Sequence, residues 1–277
     1  MRMKFAGREL DLSRSHVMGI VNVTPDSFSD GGQYNTTELA VQRARQMVAD
    51  GATFVDVGGE STRPGAAPVS EQEELDRVSP VVEAIARQLD VVVSVDTSSA
   101  AVMREGASLG AGLINDVRAL QREGAVEAAV ETGLPVCLMH MKGAPGTMQE
   151  RPEYRHVVRD VAAFLMDRVR VCESAGVPAD QILLDPGFGF GKSAEHNFQL
   201  LAALEQMRML GYPLLVGMSR KTMLGQVTGR EVSERLPASV AAATISALKG
   251  VSVIRVHDVR ETVDAVRVVE AMQSAAY

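Results

Sequence analysis

Acidic and amide side chains follow several short apolar runs of this chain, and their types suit a flat, nitrogen-rich ligand. Asp96, Asn115 and Asp185 each come at the end of such a run. Together they offer many hydrogen-bond acceptors and a few amide donors. A carboxylate that faces an amidine-like edge can accept two parallel hydrogen bonds, as it does from arginine. These residues therefore predict a site for a heterocycle that carries several N–H groups.

The segment DPGFGFGK at 185–192 is similar to a phosphate-binding loop but does not match one. A phosphate loop needs G-x-x-x-x-G-K-[ST], whose first glycine would fall where the chain has Pro186. The dinucleotide fingerprint G-x-G-x-x-G fails as well, because its last glycine comes too early. Glycines let the backbone approach a planar ring, and Phe190 could cover one face of that ring. We expect Phe188 to be a packing residue.

Basic side chains gather in the same parts of the sequence, at Arg63, Lys221, Arg255 and His257. Arg255 and His257 are two residues apart in a predicted strand, so both side chains point to one face. This spacing predicts a paired anion site, and barrels commonly bind phosphate near their seventh and eighth strands. Lys221 could instead form a Schiff base, but that chemistry would leave the other cations unexplained.

Eight short apolar runs, rich in β-branched residues, must position these side chains. The runs span 16–23, 53–59, 91–97, 112–117, 135–141, 182–187, 213–219 and 252–258. Stretches with helical periodicity lie between them, for example at 38–51, 73–89 and 157–176. A strand followed by a helix, repeated eight times, predicts a (β/α)8 TIM barrel that forms a single domain over 1–277. A doubly wound open sheet is the alternative fold.

Each run ends in polar residues, and the carboxyl ends of barrel strands form the rim where ligands bind. The polar residues are Asn22, Asp56, Asp96, Asn115 with Asp116, His140, Asp185, Ser219 with Arg220 and Lys221, and Arg255 with His257. For Asp116 and His140 we expect ordinary capping of the backbone. The segments TPDSFSDGGQYNT and ESTRPGAAPVS, after the first two runs, have no apolar period and predict long functional loops over the rim.

Composition bounds the class of protein. Apolar residues make up 46% of the 277 residues and charged residues 23%, as in a globular protein with ample core. The net charge of −7 argues against nonspecific binding of nucleic acid. No signal peptide or membrane span is recognisable, so we expect a cytoplasmic protein with no membrane partner. Cys137 and Cys172 are expected to be buried thiols.

Eight motifs, met in order along the chain, resemble those of the dihydropteroate synthase family. They are NVTPDSFSDGG, DVGGESTRPG, SVDT, INDV, LMHM, DPGFGFGK, SRK and IRVHD. The resemblance covers nearly the whole chain and implies the barrel fold. It also implies an enzyme that joins a pterin methyl diphosphate to p-aminobenzoate and releases pyrophosphate. Further implications are a Mg²⁺ cofactor, a homodimer, and sulfonamides as competitors of p-aminobenzoate.

The resemblance implies a role for each candidate residue, with Asp96, Arg63 and Lys221 as catalytic groups. The implied pterin site consists of Asp96, Asn115, Asp185, Lys221, Met139 and Phe190. The implied diphosphate site consists of Asn22, Arg255 and His257, of which Asn22 is the magnesium contact. Phe28, Thr62 and Arg63 are expected to close over the substrates, and Ser219 to lie near p-aminobenzoate. Thr222 stands where the family pattern leads us to expect serine.

Two alternative functions share part of this pattern. A pterin methyltransferase barrel that works with a corrinoid protein would use Asp96, Asn115 and Asp185. It would not need the cations of a diphosphate site, and the chain has no D-x-H-x-x-G cobalamin motif. A non-catalytic pterin-binding protein would not need the two long loops. Turnover of a pterin diphosphate would distinguish an enzyme from such a binding protein.

Overall fold

A computed structural model describes residues 1–24, 33–60, 69–143 and 152–275. Eight parallel strands form one sheet. They are β3 (His16–Asn22), β4 (Phe54–Gly58), β5 (Val92–Asp96), β6 (Leu113–Asp116), β7 (Val136–Met139), β8 (Ile182–Asp185), β9 (Leu215–Val216) and β10 (Val253–Val256). Their order around the sheet is β8-β7-β6-β5-β4-β3-β10-β9. A parallel bridge between Leu184 and Leu214 joins the two ends of this order. The predicted (β/α)8 barrel is therefore confirmed.

Helices follow the strands around the outside of the barrel. They are α1 (Gln33–Ala49), α2 (Glu71–Gln88), α3 (Ala100–Ser108), α4 (Ala125–Thr132), α5 (Val157–Ala175), α6 (Ala194–Ala202), α7 (Leu204–Arg208), α8 (Thr222–Thr228), α9 (Leu236–Leu248) and α10 (Val259–Ala275). The three stretches with helical periodicity fall on α1, α2 and α5. Cys137 and Cys172 are free and buried, as predicted.

A hairpin that the sequence did not predict closes the amino-terminal end of the barrel. Its strands, β1 (Arg2–Phe5) and β2 (Arg8–Asp11), pair antiparallel. Phe5 is fully buried, and its ring meets that of Phe54 edge-on with centroids 5.0 Å apart. Phe5 shares an apolar cluster with one residue from each barrel strand: Met18, Phe54, Val92, Leu113, Cys137, Leu183, Leu215 and Val253. We call these eight residues the floor layer.

A layer in which five of eight residues are polar occupies the barrel interior directly above the floor layer. Side chains alternate between the two faces of a strand, so the residue two positions beyond each floor residue also points inward. These positions hold Ile20, Asp56, Ser94, Asn115, Met139, Asp185, Gly217 and Arg255. We call this set the polar layer. The apolar floor beneath it and the open rim above it make the carboxyl end of the barrel the place for a ligand.

Replacing Phe5 by alanine should destabilise the whole barrel, because the ring fills the closed end of the interior. Removing a buried phenylalanine ring typically costs about 3–5 kcal/mol. Urea unfolding followed by circular dichroism measures the loss. Arg2→Ala, on the exposed face of the same strand, is the control and should change the free energy of unfolding by less than about 0.5 kcal/mol. Equal stability of the two variants would contradict the sealing role of Phe5.

Candidate functional site

Three acceptor oxygens open onto the mouth of the barrel. Among the described residues, the only fully buried side-chain N or O atom without a partner is Oε1 of Glu74. Among these described residues, one side-chain oxygen each of Asp96, Asn115 and Asp185 also has no protein donor. Because none of these three oxygens is a fully buried atom without a partner, each must be reachable by solvent. The structure thus brings the three predicted acceptors together as a set that suits a ring edge of N–H donors.

Arg255 links two carboxylates within the site. Its Nε donates to Oδ2 of Asp56 at 2.6 Å, and its Nη2 donates to Oδ2 of Asp96 at 2.8 Å. Among the described residues, no acceptor bonds its Nη1, which keeps two further donors for an anion. His257 lies beyond Arg255, and its Nδ1 is 3.1 Å from Oγ of Ser219. Arg255 therefore has an internal structural role beside the predicted binding of an anion.

Burial changes the protonation chemistry of the mouth. Desolvation, together with the nearby Asp56, raises the pKa of Asp96 to about 7, although Arg255 opposes the rise. Burial also raises the pKa of Asp185, against the opposing charge of Lys221. Desolvation lowers the pKa of Lys221 to about 8, and Asp185 limits that fall. Strongly perturbed groups that face one cleft are typical of functional sites.

The DPGFGFGK turn needs glycine at three alternate positions. Gly187, Gly189 and Gly191 all have positive φ, with values of 68°, 81° and 63°. A Cβ at Gly187 would overlap the carbonyl oxygen of His140, and one at Gly191 would overlap that of Lys142. Only glycine fits where the turn passes so close to the backbone after β7. The turn therefore packs against the backbone that follows β7 and holds Phe190 at the rim.

Lys192 fastens this turn from behind. Its side chain is buried, and Nζ donates to the carbonyl oxygens of Gly187 at 2.8 Å and Phe190 at 3.0 Å. Nζ also lies 2.9 Å from Nδ1 of His140. Asn197 supports the same turn by accepting from the backbone N–H of Gly189 at 2.8 Å. The lysine that a phosphate loop would turn toward its ligand is here bonded to the turn itself.

Three of the remaining predicted residues, Lys221, Phe190 and Met139, lie at the turn. Lys221 donates to the carbonyl oxygen of Phe188, and its ammonium lies 4.5 Å from the ring centroid of Phe190. That ring is half-exposed, whereas Phe188 is buried in the core, as predicted. Met139 belongs to the polar layer and is buried beside Gly187. Asn22 ends β3, with its side chain half-buried.

Asp116 caps the backbone, as expected, whereas the side chain of His140 has a different structural role. Asp116 accepts from the backbone N–H of Arg118 at 2.8 Å and that of Leu120 at 2.7 Å, so it caps a turn. His140 packs edge-on against Phe164, and burial together with Lys192 lowers its pKa to about 3. Neither side chain adds to the acceptor set at the mouth.

Three predicted site residues, Phe28, Thr62 and Arg63, lie outside the described residues, so their roles stay predictions. Three other residues support the site but were not predicted as part of it. They are Asp56 and Ser94, which lie within the barrel, and Lys192, which lies behind the turn. The two-residue alternation that leads inward from the floor layer would have identified the first two.

Comparison with known proteins identifies the family. A sequence profile described as "Pterin binding enzyme" matches residues 18–257. Dihydropteroate synthase of Escherichia coli (strain K12) is 58% identical over 275 residues, which is 99% of this chain and 98% of that protein. The chain belongs to the dihydropteroate synthase family. Its mouth residues can therefore be considered beside those of solved family members.

Two solved dihydropteroate synthases closely match the fold. The Yersinia pestis enzyme with a sulfonamide drug complex has a TM-score of 0.95 and 56% identity, covering 99% of this chain and 100% of that one. The Xanthomonas albilineans enzyme with 4-aminobenzoic acid has a TM-score of 0.93 and 49% identity, covering 98% of both chains. The barrel is thus the one that dihydropteroate synthases use.

Replacing Lys192 by methionine should loosen the DPGFGFGK turn. Two carbonyl groups would lose their buried donor, and each such group costs about 1–3 kcal/mol, so we expect a loss of about 2–6 kcal/mol in stability. Pterin affinity should fall about tenfold or more, because Phe190 and Asp185 lose their fixed spacing. Thermal unfolding and calorimetry measure the two effects. Lys249→Met, at a surface ion pair, is the control; unchanged pterin affinity in a folded Lys192 variant would contradict the assignment.

Pterin binding should depend on pH in a bell shape. Asp96 accepts hydrogen bonds as a carboxylate, so affinity should rise as the pH passes about 7. Lys221 loses its charge as the pH passes about 8, so affinity should then fall. Calorimetry with a pterin that lacks phosphate excludes titration of the substrate's own diphosphate. Lys221→Arg keeps the positive charge and should remove the alkaline limb. A flat profile from about pH 6 to 9 would refute both assignments.

Proposed function

We infer that this chain catalyses the dihydropteroate synthase reaction. The substrates are a 7,8-dihydropterin methyl diphosphate and p-aminobenzoate, and the products are 7,8-dihydropteroate and pyrophosphate. The observation that carries this inference is the set of three open acceptor oxygens on Asp96, Asn115 and Asp185, beside Lys221 and Phe190. An amino-pyrimidine edge presents the N–H donors that such a set binds, and the Phe190 ring can stack on the pterin.

Charge stabilisation explains how this geometry promotes the reaction. The C–O bond to diphosphate breaks with its electron pair, which leaves a cation delocalised into the pterin. The Asp96 carboxylate lies beside the ring site and stabilises the developing positive charge. Arg255, through its Nη1 donors, and His257 would hold the departing anion. The aniline nitrogen then attacks the methylene carbon and releases its proton afterwards, so no strong general base is required.

Mg²⁺ is the proposed cofactor, and the donors at the mouth fit it. Among the described residues, no group of three or more His, Cys, Asp or Glu could hold a metal. Mg²⁺ does not need such a cage, because it keeps several waters and binds one or two protein oxygens together with substrate phosphates. The amide oxygen of Asn22, at the end of β3, is the protein ligand we propose. When bound, Mg²⁺ would neutralise charge on the diphosphate.

The loops after β3 and β4 complete the proposal. Phe28, Thr62 and Arg63 would close over the diphosphate and p-aminobenzoate and keep water from the cation. Ser219, at the rim beside His257, is the proposed neighbour of p-aminobenzoate, and sulfonamides would compete for that place. The described segments next to the second loop are anchored: Arg118 donates to Glu60 at 3.1 Å, and Arg77 to the carbonyl oxygen of Gly59 at 2.9 Å.

We also propose a single-domain, cytoplasmic enzyme that forms a homodimer. Exposed apolar side chains on neighbouring helices support the dimer: Ile245 and Leu248 on α9, and Val268 and Met272 on α10. No helix among the described residues is long and apolar enough to cross a membrane.

Pyrophosphate release should require both p-aminobenzoate and Mg²⁺. A coupled pyrophosphate assay measures it directly. Pterin binding without turnover would favour a non-catalytic binder, and methyl transfer without pyrophosphate would favour a methyltransferase.

Asp185→Asn should bind pterin about fivefold to more than a hundredfold more weakly, because a buried group without its partner costs about 1–3 kcal/mol. Thr222→Ser, on the exposed start of α8, is a control that should keep pterin affinity.

A further inference from the structure

Asp56 lies inside the barrel and holds three of its neighbours. It has no exposed surface and belongs to the polar layer. Its Oδ1 accepts from Oγ of Ser94 at 2.5 Å. Its Oδ2 accepts from Nδ2 of Asn115 at 3.1 Å and from Nε of Arg255 at 2.6 Å. Asp56 accepts in each of these three hydrogen bonds.

The Asp56 carboxylate dictates how the amide of Asn115 is turned. An ionised carboxylate has no proton to donate, so only the NH₂ end of the amide can face it. The carbonyl end must then point away from Asp56, and this oxygen is the one that opens onto the mouth. With the amide reversed, two oxygens would meet inside the barrel and a donor would face the ligand. Asp56 thus decides whether position 115 presents an acceptor or a donor.

Two further contacts keep the carboxylate in this orientation. Ser94 is fully buried on the adjacent strand β5 and fixes the rotation of the carboxylate through Oδ1. Arg255 supplies the positive charge that a buried carboxylate requires. The same guanidinium reaches Asp96 through Nη2, so one carboxylate sets the position of two groups that line the mouth.

We propose that Asp56 is a positioning residue that selects for ligands with N–H donors by fixing the amide orientation of Asn115. It does so without touching the ligand. This inference rests on the proposed function, since the ligand in question is the pterin. It extends that function by assigning part of the ring selectivity to a residue one layer below the binding surface.

Two substitutions at position 115 test this assignment. Asn115→Asp keeps an oxygen toward the mouth but brings a second carboxylate against Asp56, so affinity for a 6-hydroxymethylpterin should fall at least about tenfold. Asn115→Ala removes the oxygen and leaves Asp56 unchanged. Calorimetry at one pH measures all of the proteins, and thermal unfolding verifies that each is folded.

Asn115→Asp with Glu60→Gln is the matched control. It has the net charge of the parent protein, but its lost carboxylate pairs with Arg118 and does not contact position 115. Its affinity for the pterin should stay as low as that of Asn115→Asp. Recovery in this control would attribute the effect to net charge and would overturn the proposal.

The comparison of the aspartate and alanine variants decides the proposal, because only the aspartate variant retains an acceptor toward the mouth. If Asp56 controls this position, the aspartate variant should bind the pterin no better than the alanine variant. Parent-like affinity of Asn115→Asp would overturn the proposal. If the parent protein itself binds no pterin, the proposed function fails first, and the two failures are thereby distinguished.

Discussion

A charge inside a barrel must be paired, and one guanidinium satisfies this requirement for two carboxylates at once. Arg255 stands between Asp56 and Asp96, so a single cation offsets two carboxylates that burial would otherwise disfavour. Only the Asp96 carboxylate opens to a ligand, whereas the Asp56 carboxylate is fully buried and holds Arg255 in place. The arrangement leaves the mouth with excess negative charge beside the ring site, where a carbocation would develop.

Lys192 is buried without a paired carboxylate. It has no carboxylate within bonding distance among the described residues, and burial lowers its pKa well below the usual range for lysine. Backbone carbonyl groups receive its hydrogen bonds instead. The amine therefore serves as an internal fastener of the turn, and the positive charge at the ring site is supplied by Lys221.

Much of the barrel was predictable because parallel strands covered on both faces read as apolar runs. All eight runs became strands, although the run at 213–219 pairs over only Leu215–Val216. The hairpin at the floor was not predicted because each of its strands has four residues and carries charge on its exposed face. An alternation that short gives little signal without the barrel end it covers.

The site was predictable where residues end a run and less so where they lie inside one. Asp96, Asn115 and Asp185 were identified by their place at strand ends. Asp56 was noted among the rim residues, but its task depends on Arg255, which is far away in sequence and adjacent in the barrel. Long-range pairing of this kind leaves no local pattern. The same is true of Lys192, whose partners are carbonyl groups brought near by the glycine turn.

The floor hairpin also imposes an order on folding. Phe5 packs in a cluster that includes Leu215 on β9 and Val253 on β10, so contacts made by one end of the chain wait for strands near the other. Until those strands are in place, the apolar floor stays open at its lower end. Contacts of such large sequence separation slow folding and expose intermediates to aggregation. A chain halted before β10 would therefore be a natural client for chaperones, however well formed its first strands are.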